Sequence, residues 1–132
     1  MTTTRPHATT PMPYDRLSEK QTIAAVLAAL EELRRVEGDM MLSKAATLLH
    51  VLEKPDMPQM DMASTLNISS AAATRNVQDW SMLNRNSEPG RGFITQSPDP
   101  AHRKRFLLAP TPAGRDFLKR MTAAVNRALA DR

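Results

Sequence analysis

Almost the whole of this chain has the apolar spacing of helices, and one stretch interrupts it. Two short runs of strand-type residues, 93–97 and 105–109, flank the turn Pro98-Asp99-Pro100. Proline lacks an N–H and fixes φ, so two prolines two residues apart end any helix and suit a tight reversal between strands. The stretch reads as a β-hairpin set late in an otherwise helical chain. Composition limits what can surround it. At 132 residues and 41% apolar content, one domain with one core is expected. Four glycines are too few for glycine-rich phosphate loops. The absence of cysteine excludes disulfides, thiolate zinc sites and thiol redox sensing.

Residues 1–16 are rich in Thr and Pro and lack apolar periodicity. They read as a flexible tail, with 17–132 as the folded domain. Ser18 and Gln21 spell a capping box that opens a first helix over about 18–37, before Gly38. Its Ile23, Val26, Leu27, Leu30 and Leu33 recur at helical spacing. A second helix is expected from Leu42 to Glu53, stopped by Pro55. A short third helix fits 58–66 with Pro58 at its first position, and Asn67-Ile68 reads as a turn. Ser69 caps a fourth helix running to about Leu83, with Ala73, Val77 and Trp80 inward. Residues 84–91 form a polar loop. Thr111 and Pro112 open the last helix, over about 112–131, with Phe117, Leu118, Met121, Val125 and Leu129 on one side. The fold class is mainly α with a small β-hairpin.

Charge is unevenly placed. Residues 1–84 carry 8 basic and 10 acidic side chains, whereas the remainder carries 10 basic and 4 acidic. A basic last third points to a polyanionic partner, against the plainer alternative of a solvated basic surface. No apolar run approaches the roughly 18 residues that a membrane-spanning helix needs. The run 23–30 is flanked by Asp15, Glu19, Glu31 and Glu32, which suits a soluble helix better than a leader, so a cytoplasmic protein is expected.

A short helix, a turn, a second helix and a basic hairpin make the winged helix-turn-helix pattern. The segment Asp56-Met57-Pro58-Gln59-Met60-Asp61-Met62-Ala63-Ser64-Thr65-Leu66-Asn67-Ile68-Ser69 resembles the first helix and turn of the MarR family of bacterial transcription regulators. Pro98-Asp99-Pro100-Ala101-His102-Arg103-Lys104-Arg105, then Leu107, Leu108 and Thr111-Pro112-Ala113-Gly114-Arg115, resembles that family's wing, second wing strand and start of the last helix. The resemblance covers about residues 42–121. It implies a homodimer, joined by the flanking N- and C-terminal helices, that regulates transcription from a near-palindromic operator in double-stranded DNA. It also implies a wing arginine, here Arg103, reaching the minor groove. Members of the family often take a small aromatic effector between the dimerising and DNA-binding parts, a pocket that no residue of this sequence marks. The chain departs from the family's pattern in three places. His102 stands where an acid often braces the wing, the loop 84–91 is longer than usual, and the recognition helix is poor in charge.

The residues themselves suggest a division of labour. With Ala73, Val77 and Trp80 inward, the fourth helix turns Ser70, Ala71, Thr74, Arg75 and Gln78 outward. Ala71 is short enough to approach a thymine methyl, Arg75 can take guanine bidentately, and Gln78 suits adenine. Ser69 and Ser70 lie at the helix N-terminus, where free N–H groups favour a phosphate. Arg103, Lys104 and Arg105 follow the hairpin turn and suit phosphates or a narrow minor groove. Ile23, Leu27 and Leu30 with Leu118, Val125 and Leu129 are the expected dimer contacts. His7, His50 and His102 lack metal-ligand spacing, and Met57, Met60 and Met62 read as core filler. No hydrolase, zincin or phosphate-loop motif occurs, so no enzyme, metal or cofactor is expected. Two other readings fit the pattern. The Thr/Pro tail and long loop leave room for a plasmid or phage replication or partition factor. The single basic residue on the recognition helix would suit a winged-helix protein-interaction adaptor.

Overall fold

A computed structural model describes residues 16–81 and 90–130, apart from the side chain of Arg103. The expected tail (to residue 15), most of the loop 84–91 and the last two residues fall outside the described residues. The elements are α1 (Glu19–Val36), α2 (Leu42–Glu53), β1 (Met57–Pro58), α3 (Asp61–Leu66), α4 (Ser70–Trp80), β2 (Ile94–Asp99), β3 (His102–Pro110) and α5 (Pro112–Ala130). The strands form one antiparallel sheet in the order β1-β3-β2.

Local chemistry sets the helix ends. The capping box is complete: Ser18 Oγ accepts from the Gln21 N–H at 3.0 Å, and the Ser18 N–H donates to Gln21 Oε1 at 2.9 Å. The expected third helix is shorter than the sequence suggests. Met57 and Pro58 form a strand opposite Leu108 and Leu107, and α3 starts only at Asp61. Proline is tolerated there because the donors into β3 lie on either side of it. The Asp56 N–H bonds the Leu108 carbonyl and the Gln59 N–H bonds the Phe106 carbonyl, both at 2.8 Å. Asn67, at φ 56°, makes the left-handed turn into α4.

Helix α4 also ends earlier than expected, at Trp80. The wing root takes over its last carbonyls: Phe93 N–H bonds Trp80 C=O at 2.8 Å, and Gly92 N–H bonds Ser81 C=O at 3.0 Å. The Ser81 hydroxyl donates to the Val77 carbonyl at 2.7 Å. Strand β2 starts one residue later than the expected 93–97 and runs on to Asp99, and β3 extends beyond the expected 105–109 at both ends. At their turn Asp99 Oδ1 accepts from the Ala101 N–H at 2.9 Å.

The core gathers Leu48, Val51, Met62, Val77, Trp80, Ile94, Leu108 and Phe117, all essentially inaccessible. Trp80 stacks on Phe93 (centroids 5.5 Å apart), which stacks on Phe117 (5.4 Å). Trp80 Nε1 donates to the Lys44 carbonyl at 2.7 Å, satisfying the one polar atom of a buried indole. The Thr-Pro-x-Gly-Arg element has a physical account here. Thr111 Oγ1 donates to the Gly92 carbonyl at 2.5 Å and accepts from the Gly114 N–H at 3.1 Å. A Cβ at position 114 would collide with the Phe93 carbonyl, so glycine lets α5 start directly against the wing root.

Helix α1 packs along α5 within the same chain, and Ala24, Leu33, Met121, Ala124 and Leu129 are buried there. Of the expected dimer contacts, Leu129 is thus already enclosed by its own chain, and Val125 is half-buried. Ile23 (61% exposed), Leu27 (53%), Leu30 and Leu118 remain open, as does Val26. A polar tie joins the two parts of the chain: Lys44 Nζ lies 2.7 Å from Glu37 Oε1, at the end of α1, and 3.5 Å from Asp79 Oδ2 on α4.

Candidate nucleic-acid interface

Helix α4 is amphipathic in the expected sense. Ala73, Val77 and Trp80 are buried, Ser70, Ala71, Thr74 and Arg75 are exposed, and Gln78 is half-buried. Ser69 caps the helix, its Oγ accepting from the Ala72 N–H at 3.0 Å. That contact uses the oxygen as acceptor and leaves the hydroxyl hydrogen available.

Between this helix and the wing lies a cleft of about 650 Å³. Ser70 and Thr74 line it from α4, and Lys104 and Arg105 line it from β3. Four of the residues singled out in the sequence therefore meet around one space. Ser69, Ala71, Arg75 and Gln78 do not line it. Arg103 belongs to β3, but its side chain lies outside the described residues. Consecutive residues on a flat strand face opposite ways. Lys104 and Arg105 nonetheless share the cleft, near the register shift at Pro98/Asp99 in the facing strand.

The cleft also holds residues that the sequence did not mark as functional. Met60, expected in the core, is 67% exposed and lines the cleft, because α3 starts one residue after it. Phe106 (46% exposed) and His102 line the wing side. Among the described residues that line it there is no carboxylate. Arg105 Nε is buried without a hydrogen-bond partner. Cations opposite an apolar rim suit a sugar-phosphate strand, which presents both charge and hydrocarbon.

A second set of missed residues supports the wing from behind. Gln96 Nε2 on β2 donates to Gln59 Oε1 at 2.6 Å. Gln96 Oε1 lies 3.4 Å from Ser81 Oγ, at the end of α4. Nothing in the spacing of these polar residues signals their meeting. Among the described residues, no group of three or more His, Cys, Asp or Glu could hold a metal ion. No helix there is long and apolar enough to cross a membrane.

No protein-family model matches the sequence, and no curated relative does. Solved structures do match. The chain is similar to RV1404 from Mycobacterium tuberculosis, at 19% identity and a TM-score of 0.64 over 92% of this chain and 80% of that one. It is similar to the transcriptional repressor CouR bound to a 23-mer DNA duplex, at 22% identity and a TM-score of 0.59 over 84% and 71%. Similarity to MarR is 20% identity at a TM-score of 0.55, over 81% and 73%. The chain has the winged-helix fold of MarR-type regulators.

Proposed function

We propose that the chain is a sequence-specific double-stranded DNA-binding transcriptional regulator that acts as a cytoplasmic homodimer on a near-palindromic operator. One observation carries this reading: Ser70 and Thr74 of α4 and Lys104 and Arg105 of the wing line a single cleft, with no carboxylate among its described lining residues. A helix that reads the major groove and a wing that grips the adjoining backbone must face the same side, and these do. In the proposed complex Ser70, Thr74, Arg75 and Gln78 reach base edges, with Ala71 close to a thymine methyl. Ser69 takes a phosphate at the helix N-terminus, and Arg103, Lys104 and Arg105 hold the flanking backbone or minor groove. Arg75 stands exposed on the open face of α4. CouR, of the same fold, is held on a DNA duplex, which supports the same use here.

The open apolar residues of α1, Ile23, Val26, Leu27 and Leu30, support the homodimer. A helix face of this kind gains from burial against a second copy. The test is selection from a random-sequence duplex library with purified protein. The reading expects a recovered motif with inverted half-sites, bound less tightly as salt rises. Recovery of no duplex at low salt would overturn it and favour the protein-interaction adaptor. Recovery of a directly repeated motif that the source genome carries only at a replication origin would favour the replication or partition factor.

A further inference from the structure

The wing is joined to the helix-turn-helix through one residue in three ways. The Gln59 N–H donates to the Phe106 carbonyl of β3 at 2.8 Å, and the Gln59 carbonyl accepts from the Met62 N–H of α3 at 3.0 Å. Its side-chain oxygen accepts from Gln96 Nε2 of β2 at 2.6 Å. Gln59 therefore touches both strands of the wing and the first turn of α3. Gln96 Oε1 in turn lies 3.4 Å from Ser81 Oγ, whose one hydrogen is committed to the Val77 carbonyl of α4 at 2.7 Å. The path crosses β3, since Gln96 and Met57 face Leu108 from opposite sides. Every group in the path is neutral.

We propose that Gln59 and Gln96 are positioning residues that fix the wing against the start of α3, and so against the helix-turn-helix, by uncharged hydrogen bonds, so that the distance between wing cations and helix-turn-helix stays constant as salt changes. The inference rests on the DNA-binding reading. Salt weakens the wing's contacts with phosphate, and an ionic brace exposed at the surface would weaken with them. A brace of amides does not. The backbone bonds of Gln59 survive side-chain replacement, so the effect of the side chain can be isolated.

The test uses the full chain and the variants Gln59→Leu, Gln96→Leu, Gln96→Glu and the double leucine variant. Without DNA, amide hydrogen exchange should be about tenfold faster in β2 and β3 of either leucine variant, the loss of one hydrogen bond. It should be unchanged in α1 and α5. The double variant should be no faster than either single one, since both remove the same bond. Gln96→Glu should restore protection, because its carboxylate accepts from a turned Gln59 amide. On a random-sequence duplex, Gln96→Leu should bind about tenfold more weakly, and adding Lys104→Ala should cost less than it does in the parent chain. Faster exchange in every element, or additive effects in the double variant, would reduce the pair to an ordinary stabilising contact and overturn the proposal. Unchanged exchange with normal DNA binding would overturn it and leave the DNA reading standing. A parent chain that fails to bind any duplex while its wing exchange responds would overturn the DNA reading itself.

Discussion

The helix-turn-helix with its wing and the α1/α5 pair are built on opposite terms. The first is closed within one chain: Trp80 stacks on Phe93 inside it, Phe117 of α5 covers the stack, and its backbone ends bond across elements. The second buries only part of what it carries. Ala24 and Leu33 of α1 are enclosed, while Ile23, Val26, Leu27 and Leu30 of the same helix stay open to solvent. One region presents cationic and polar groups, with Met60 and Phe106 beside them, over a finished core. The other presents unburied hydrocarbon. The difference teaches that recognition and assembly are separable, so substitutions should damage one without the other.

The largest expected effect is on assembly. Burying an apolar side chain contributes about 1.5–3 kcal/mol, and a two-fold axis counts each residue twice. Ile23→Asp with Leu27→Asp should therefore turn a micromolar dimer into a monomer while the helical circular dichroism is kept. Sedimentation of the parent chain as a monomer at tens of micromolar would break the comparison at its root. Leu129 is unsuited to this experiment because it is buried within its own chain, and a charge there would unfold α5.

Next comes the core of the recognition half. Trp80→Ala should lower stability by about 3–5 kcal/mol in denaturant titration, since it removes a buried indole together with its hydrogen bond to the Lys44 carbonyl. Failure to lose at least ~2 kcal/mol would mean that the aromatic stack matters less than its burial implies. At the DNA surface, Arg75→Ala should cost roughly 1–3 kcal/mol on the selected site and little on random sequence. Retention of the same motif at the same stringency would remove Arg75 from the base readers.

The smallest change is in salt dependence. Lys104→Ala with Arg105→Ala should weaken specific and random duplexes alike. It should also flatten the slope of log affinity against log salt by roughly 0.9 for each phosphate that is no longer neutralised. An unaltered slope would make the wing cations ordinary solvated charge.

Elements with a local chemical signature were legible in the sequence. The Ser18–Gln21 box, the span of α2 and the Thr111-Pro112 start of α5 depend on neighbours a few residues away. Features set by distant partners were not. Strand β1 is two residues long, too short for alternation, and Pro58 resembles a helix start; only the free edge of β3 makes it a strand. The end of α4 is fixed by Gly92 and Phe93 arriving from beyond the loop. At the site, Ser70, Thr74, Lys104 and Arg105 were accessible to periodicity and turn chemistry. Met60 was not, because an exposed methionine and a core methionine read alike. The Gln59–Gln96 bond joins residues 37 apart, with no pattern linking them.

Trp80 is the sole tryptophan of the chain, and its place gives the protein an optical consequence. Its ring is stacked on Phe93, its N–H is held by Lys44 of α2, and the Lys44 ammonium stands 5.7 Å above it. Light absorbed at the red edge of the protein spectrum is therefore emitted from one dry, fixed point where α2, α4 and the wing root meet. A blue-shifted emission band reports that junction as intact. Ultraviolet excitation alone, without an attached dye, can then follow loosening of the junction between α2, α4 and the wing root.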